Sequence, residues 1–199
     1  MAARALCGRS MLAWRRRQAA RLVSLGAAEL ASGQRQVNIL ALDLGVRTGW
    51  ALANGSRRLE SGVQTFDLKR GESPGMRYVR FNRWLREVLP APTIRTVADA
   101  QADDWLVVYE LAHHRGGAAT EIHSGLATRV QEFCAERGYE PAAVHSATLK
   151  KFATGKGNAD KDMMVTTVLA KWPPTGRSLI SDDEADAIAL AQYALATLL

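Results

Sequence analysis

The sequence predicts an α/β domain built on a mixed five-stranded sheet with helices on its faces. Three observations lead there. An apolar run, VNILALDLG from Val37, has the pattern of a buried central strand, and two more strand-like segments follow it at hairpin spacing. Beyond them, helical and strand patterns alternate. The chain then closes on a strongly apolar helix. A meander followed by helix–strand alternation needs a sheet with both antiparallel and parallel pairs.

The elements follow in order. TGWALAN is the second strand, with Asn54-Gly55 as a hairpin turn signal. Residues 57–67 form a third, more polar strand. Met76, Val79, Phe81, Trp84, Leu85 and Val88 recur at helical spacing until Pro90 and Pro92 end the helix. WLVVYE, from Trp105 to Glu110, is a second buried strand, and it ends in an acid. Residues 118–137 read as a long helix closed by Gly138, and Pro141 to Ser146 as a short strand. A short helix opens at ThrLeuLysLysPhe and breaks at the TGKGN segment. Asp160 to Trp172 form another helix, stopped by Pro173-Pro174, and residues 182–198 form the last. Trp50, Trp84, Trp105 and Trp172 suit packing better than base stacking.

With 199 residues, 47% of them hydrophobic, the chain can bury one good core. The net charge of +6 is confined to one end. Residues 1–35 carry seven arginines against Glu29, whereas residues 36–199 are neutral, with 19 basic and 19 acidic side chains. The domain is therefore placed at residues 36–199 and the basic arm at 1–35. The arm has the composition of a mitochondrial targeting peptide, and more simply that of a disordered tail or an upstream extension. A bacterial or phage-encoded cytoplasmic protein is expected, a mitochondrial one if the arm is a true targeting peptide. No apolar run reaches the ~20 residues that span a bilayer. Cys7 and Cys134 give neither a disulfide framework nor a metal-binding spacing.

Four acids stand where chemistry is expected. Asp43 and Glu110 end apolar strands, and ligand sites in α/β sheets lie beyond the carboxyl ends of strands. Asp183 and Asp186 lie one turn apart at the start of the last helix, hence on one face. Converging carboxylates raise one another's pKa, and divalent cations relieve that conflict. Oxygen ligands without cysteine or well-spaced histidine suit Mg2+, with Mn2+ as substitute, rather than zinc. Two such ions are the arrangement that hydrolyses phosphodiesters. Each acid also has a structural role open to it. Asp43 precedes a turn glycine, and Asp182, Asp183 and Glu184 suit a helix N-terminus. Asp182 or Glu184 is an alternative to Asp183 as ligand. His113 and His114 follow Glu110 closely but are left outside the metal shell, and His145 has no assigned role.

Lys150, Lys151, Lys156 and Lys161 surround two glycines ahead of a helix, a composition that favours phosphate. The segment does not match the GxxxxGK[ST] phosphate loop, which disfavours a nucleotide triphosphatase. A sugar-kinase or actin-like ATPase would need a second Asp-x-Gly segment, which is not apparent.

LALDLGVRTGWAL, LVVYE, LKKFATGKGNADKDMM and DDEADAIALA together span the body of the chain, and in their order this sequence resembles the RuvC-type Holliday junction resolvases, especially short phage and prophage forms, within the ribonuclease H-like superfamily. The resemblance implies a ribonuclease H-like sheet with helices on both faces, and Asp43, Glu110, Asp183 and Asp186 as catalytic metal ligands. It implies DNA contacts from the lysine segment, Lys150 and Lys161 matching best. It also implies a homodimer on a four-way DNA junction, cutting to leave a 5′-phosphate and a 3′-hydroxyl. Two other functions are consistent with these residues: a related nuclease acting on structured RNA, and a catalytically silent DNA-binding module.

Overall fold

The computed structural model describes residues 37–53, 59–89, 104–111, 116–174 and 177–199. The arm at 1–35, the Asn54-Gly55 turn, Pro90, Pro92, His113 and His114 lie outside the described residues. Five strands form one sheet: β1 (Val37–Asp43), β2 (Arg47–Ala53), β3 (Leu59–Thr65), β4 (Asp104–Leu111) and β5 (Glu140–His145). Among the described residues five helices accompany them: α1 (Gly75–Val88), α2 (Ala118–Arg137), α3 (Ser146–Thr154), α4 (Lys161–Lys171) and α5 (Asp182–Thr197). The strand order is β3-β2-β1-β4-β5, antiparallel through the meander and parallel from β1 outward. The mixed sheet is as expected. Strand 5 begins at Glu140 and stops at His145, because Ser146 already starts α3.

Strand alternation divides the interior in two. Leu40, Leu42, Val107 and Tyr109 face α1 and α2, where Phe81, Leu85, Leu126, Val130 and Phe133 cover them. Ile39, Ala41, Leu106, Val108 and Val144 face the other way, onto α3, α4 and α5. Helices therefore cover both faces. On the second face α5 lies deepest. Ala185, Ala187, Ala189, Ala191 and Ala194 are fully buried there with Ile188 and Leu190. A helix apolar nearly all round is a core helix, and its alanines let its backbone approach the strands closely.

The four tryptophans among the described residues are packing residues. Trp50, Trp84 and Trp105 pack on the first core face and Trp172 on the second, Trp172 stacked on Phe152 with centroids 5.8 Å apart. Among the described residues no helix is long and apolar enough to cross a membrane.

Candidate active site

The alternation that builds the core also aims the acids. Asp43 shares the parity of Ile39 and Ala41, and Glu110 that of Leu106 and Val108, so both point to the face covered by α5. Leu42 lies opposite Tyr109 in the parallel β1–β4 pair. One step further, the register sets Asp43 beside Glu110, on strands ~5 Å apart.

The start of α5 reaches these strand ends because β2 has no side chain in its way. Gly49 pairs with Asp43 across the sheet, and a Cβ on Gly49 would fall 1.8 Å from the Asp183 carbonyl oxygen. The helix backbone thus rests directly on β2. Ser181 caps α5, its side chain accepting a hydrogen bond from the Glu184 N–H at 3.2 Å. With that role filled by a serine, the acids of the first turn are not needed as caps.

Their individual partners separate the three neighbours that sequence left interchangeable. Glu184 is buried, 4% exposed. Its Oε1 accepts from Ser61 Oγ at 2.7 Å and from Arg177 Nη2 at 2.6 Å, while Arg177 also donates to the Ser61 carbonyl at 2.9 Å. Glu184 is a strut tying α5 to β3. Asp182 pairs with Lys161 at the start of α4, which holds its carboxyl below the usual range. Asp183 pairs with Arg47 of β2, Nε to Oδ2 at 3.2 Å. Glu184→Ala is expected to lower folding stability by about 1–3 kcal/mol, since it strips partners from Ser61 and from half-exposed Arg177. Divalent-cation affinity per folded molecule should stay within about twofold of wild type by calorimetry; a large loss would make Glu184 a ligand after all.

Electrostatics single out Asp43 and Asp186. Burial holds Asp43 well above the ordinary carboxylate range, and Asp186, Glu110 and Asp183 push it further, in that order. Asp186 is raised to about 7, first by burial and then by Glu110, against the pull of Lys150. Asp183 is raised as well, because its burial outweighs the solvent-exposed Arg47. Asp186 Oδ1 is buried without a hydrogen-bond partner. A carboxylate oxygen left so is costly unless a donor or a cation meets it.

The donor set fits a hard divalent cation: oxygen throughout, one orphaned buried oxygen, and negative charge in excess. As they stand, no three His, Cys, Asp or Glu side chains among the described residues are grouped closely enough to hold an ion. Two of the helix acids are instead engaged by cations, Asp182 by Lys161 and Asp183 through its Oδ2 by Arg47.

The lysine segment divides. Lys150, on α3, acts on Asp186, and Lys161, at the start of α4, on Asp182. Lys151 and Lys156 are exposed on α3 and the turn after it. His145 is exposed at the end of β5. Sequence reasoning passed over Arg47, Gly49, Ser61 and Arg177. Only Arg47 carried a readable signal, as a cation that opens the strand following the one bearing Asp43.

No protein-family model matches this chain, and no curated protein matches it. Solved structures do. RuvC of Thermus thermophilus is 17% identical with a TM-score of 0.57, over 80% of this chain and 96% of that one. T. thermophilus RuvC in complex with a Holliday junction substrate is 17% identical with a TM-score of 0.56, over 78% of this chain and 90% of that one. The yeast mitochondrial Holliday junction resolvase Ydc2 is 15% identical with a TM-score of 0.46, over 78% and 76%. The chain therefore has the ribonuclease H-like fold of RuvC.

Proposed function

We propose that this chain is a metal-dependent endonuclease of the RuvC type that resolves Holliday junctions or similar branched DNA. One observation carries the reading: Asp43, Glu110 and the acids of α5 converge on one face of the sheet, with an orphaned buried oxygen on Asp186. Asp43, Glu110, Asp183 and Asp186 are the residues that would hold Mg2+, as one ion or a pair. Bound there, Mg2+ supplies the charge that offsets a phosphodiester and activates water for attack on phosphorus. The protein's own residues do the rest. Asp43 and Glu110 fix the strand side of the site, and α5 sets Asp183 and Asp186 against it. Lys150 and Lys161 bring positive charge to the same place and orient a phosphate. The reading carries with it a homodimer matched to a two-fold junction, a nuclease domain at 36–199, and residues 1–35 as an appended arm.

Purified chain, with and without residues 1–35, incubated with a labelled four-way junction and Mg2+, tests this directly. Paired nicks across the junction are expected, none in EDTA, and little cutting of a structured RNA precursor. Metal-dependent cutting of the RNA alone would replace the DNA reading, and no cutting of either would leave a binding module.

The two lysines nearest the acids are expected to differ from the outer two. Lys150→Ala should reduce junction affinity about tenfold and flatten the salt dependence by about one phosphate contact. Its cleavage rate at saturating DNA should fall as well, because Lys150 acts on Asp186. Lys156→Ala should alter affinity alone. Filter binding across a salt series, paired with single-turnover cleavage, separates the two. Equal losses in both assays for both variants would place all four lysines in one undifferentiated patch.

A further inference from the structure

Arg47 stands between the acids and open surface. Its side chain is 60% exposed, yet its Nε is 3.2 Å from Oδ2 of Asp183, whose own side chain is only 24% exposed. Arg47 and Asp183 open together onto a groove of about 780 Å3, walled by Gly45, Val46, Val63, Thr65 and Asp67. That groove belongs to the β2–β3 side of the sheet. Lys150 and Lys161 reach the acids from α3 and α4, and α3 follows from β5 at the opposite edge. Cations thus approach the α5 acids from two directions, and Arg47 lines the groove itself.

An arginine–carboxylate pair this exposed is weak. A backbone phosphate in the groove offers the same guanidinium a partner of matching planar geometry. Asp183, once released, becomes available to a cation that Arg47 otherwise opposes.

Resting on the nuclease reading above, we propose that Arg47 is an exchange residue: it holds Asp183 while the groove lacks nucleic acid and gives it up for a strand phosphate, so that DNA binding frees Asp183 for the divalent cation. Arg47 is then a positioning residue. Cation and DNA affinities become coupled, each strengthening the other by the same factor.

The test reads binding alone. Ca2+ affinity is measured by calorimetry without DNA, and four-way junction affinity in EDTA, for wild type, Arg47→Ala, Arg47→Lys, and Arg47→Ala in an Asp183→Asn background. Arg47→Ala is expected to tighten Ca2+ roughly two- to fivefold, the strength of the pair it removes. It should also weaken junction binding about tenfold and lower the salt slope by about one. In the Asp183→Asn background the effect on Ca2+ should vanish, whereas a mere loss of nearby positive charge would persist there and overturn the exchange. Unchanged or weaker Ca2+ binding by Arg47→Ala, with its thermal unfolding unaltered, would overturn it too. Arg47→Lys keeps the charge without the planar fork, so it should restore the salt slope and only part of the DNA affinity; a salt slope as low as that of Arg47→Ala, with thermal unfolding unaltered, would overturn the phosphate contact. These measurements need no cleavage. A chain that shows the exchange yet cuts no junction would sink the nuclease reading and leave this one standing.

Discussion

Asp43→Asn is expected to lower junction cleavage in Mg2+ on the order of 10^3-fold or more, as loss of one central charge-stabilising group does. The same substitution should stabilise the metal-free protein. Asp43 and Asp186 both hold protons more tightly in the folded chain than an ordinary carboxylate does. Their contribution to stability is therefore fully present below about pH 4, the unfolded value, and is lost as the pH rises through the folded value, about 7 for Asp186. In EDTA the wild-type Tm should fall between pH 5 and pH 8, and the fall should shrink in Asp43→Asn. Mg2+ should raise the wild-type Tm at pH 8 more than at pH 5, where protons compete for the same oxygens. Cleavage should climb through about pH 7 for that reason. A metal-free Tm equally sensitive to pH in both proteins would mean that Asp43 and Asp186 do not burden each other.

The parity that makes this site was open to inspection in the sequence. VNILALD and WLVVYE each end in an acid in step with the residues that bury toward α5, and strand periodicity is the most local of signals. Distance along the chain hid the rest. Asp182, Asp183 and Glu184 are equivalent acids to any sequence pattern, and what separates them comes from elsewhere in the fold: Lys161 from α4, Arg47 from β2, and Ser61 from β3. Ser61 lies 123 residues from Glu184, and only the strand order brings β3 within reach of the last helix. The four lysines were likewise alike as charges. That Lys150 acts on Asp186 and Lys161 pairs with Asp182 depends on where α3 and α4 begin and on the turn between them.

Gly49 shows the same limit most sharply, because its importance is the absence of a side chain. In sequence it is one glycine in TGWALA, a position where a strand would be better served by almost any other residue. In the fold it is the point at which the start of α5 meets β2, with the Asp183 carbonyl where a methyl group would be. The obstacle is backbone, so it cannot turn aside as a flexible side chain would. Gly49→Ala must push the start of α5 off β2 or bend β2 away from β1, and both routes disturb the pairing of Gly49 with Asp43. A loss of about 2–4 kcal/mol in folding stability is expected, at or above the upper end for an overpacked core. Because α5 carries Asp183 and Asp186 while β1 carries Asp43, the displacement also spreads the acids. Mg2+ should then give a much smaller rise in Tm than in wild type, and cleavage should be lost even at temperatures where the variant remains folded. Gly62→Ala is the matched control: its Cβ would meet the Trp50 indole at 3.1 Å, a side chain that can shift. That variant should retain both the Mg2+ response and cleavage. If Gly49→Ala behaved like Gly62→Ala in urea unfolding and in Mg2+-dependent Tm, the helix would not need the bare strand to bring its carboxylates to Asp43.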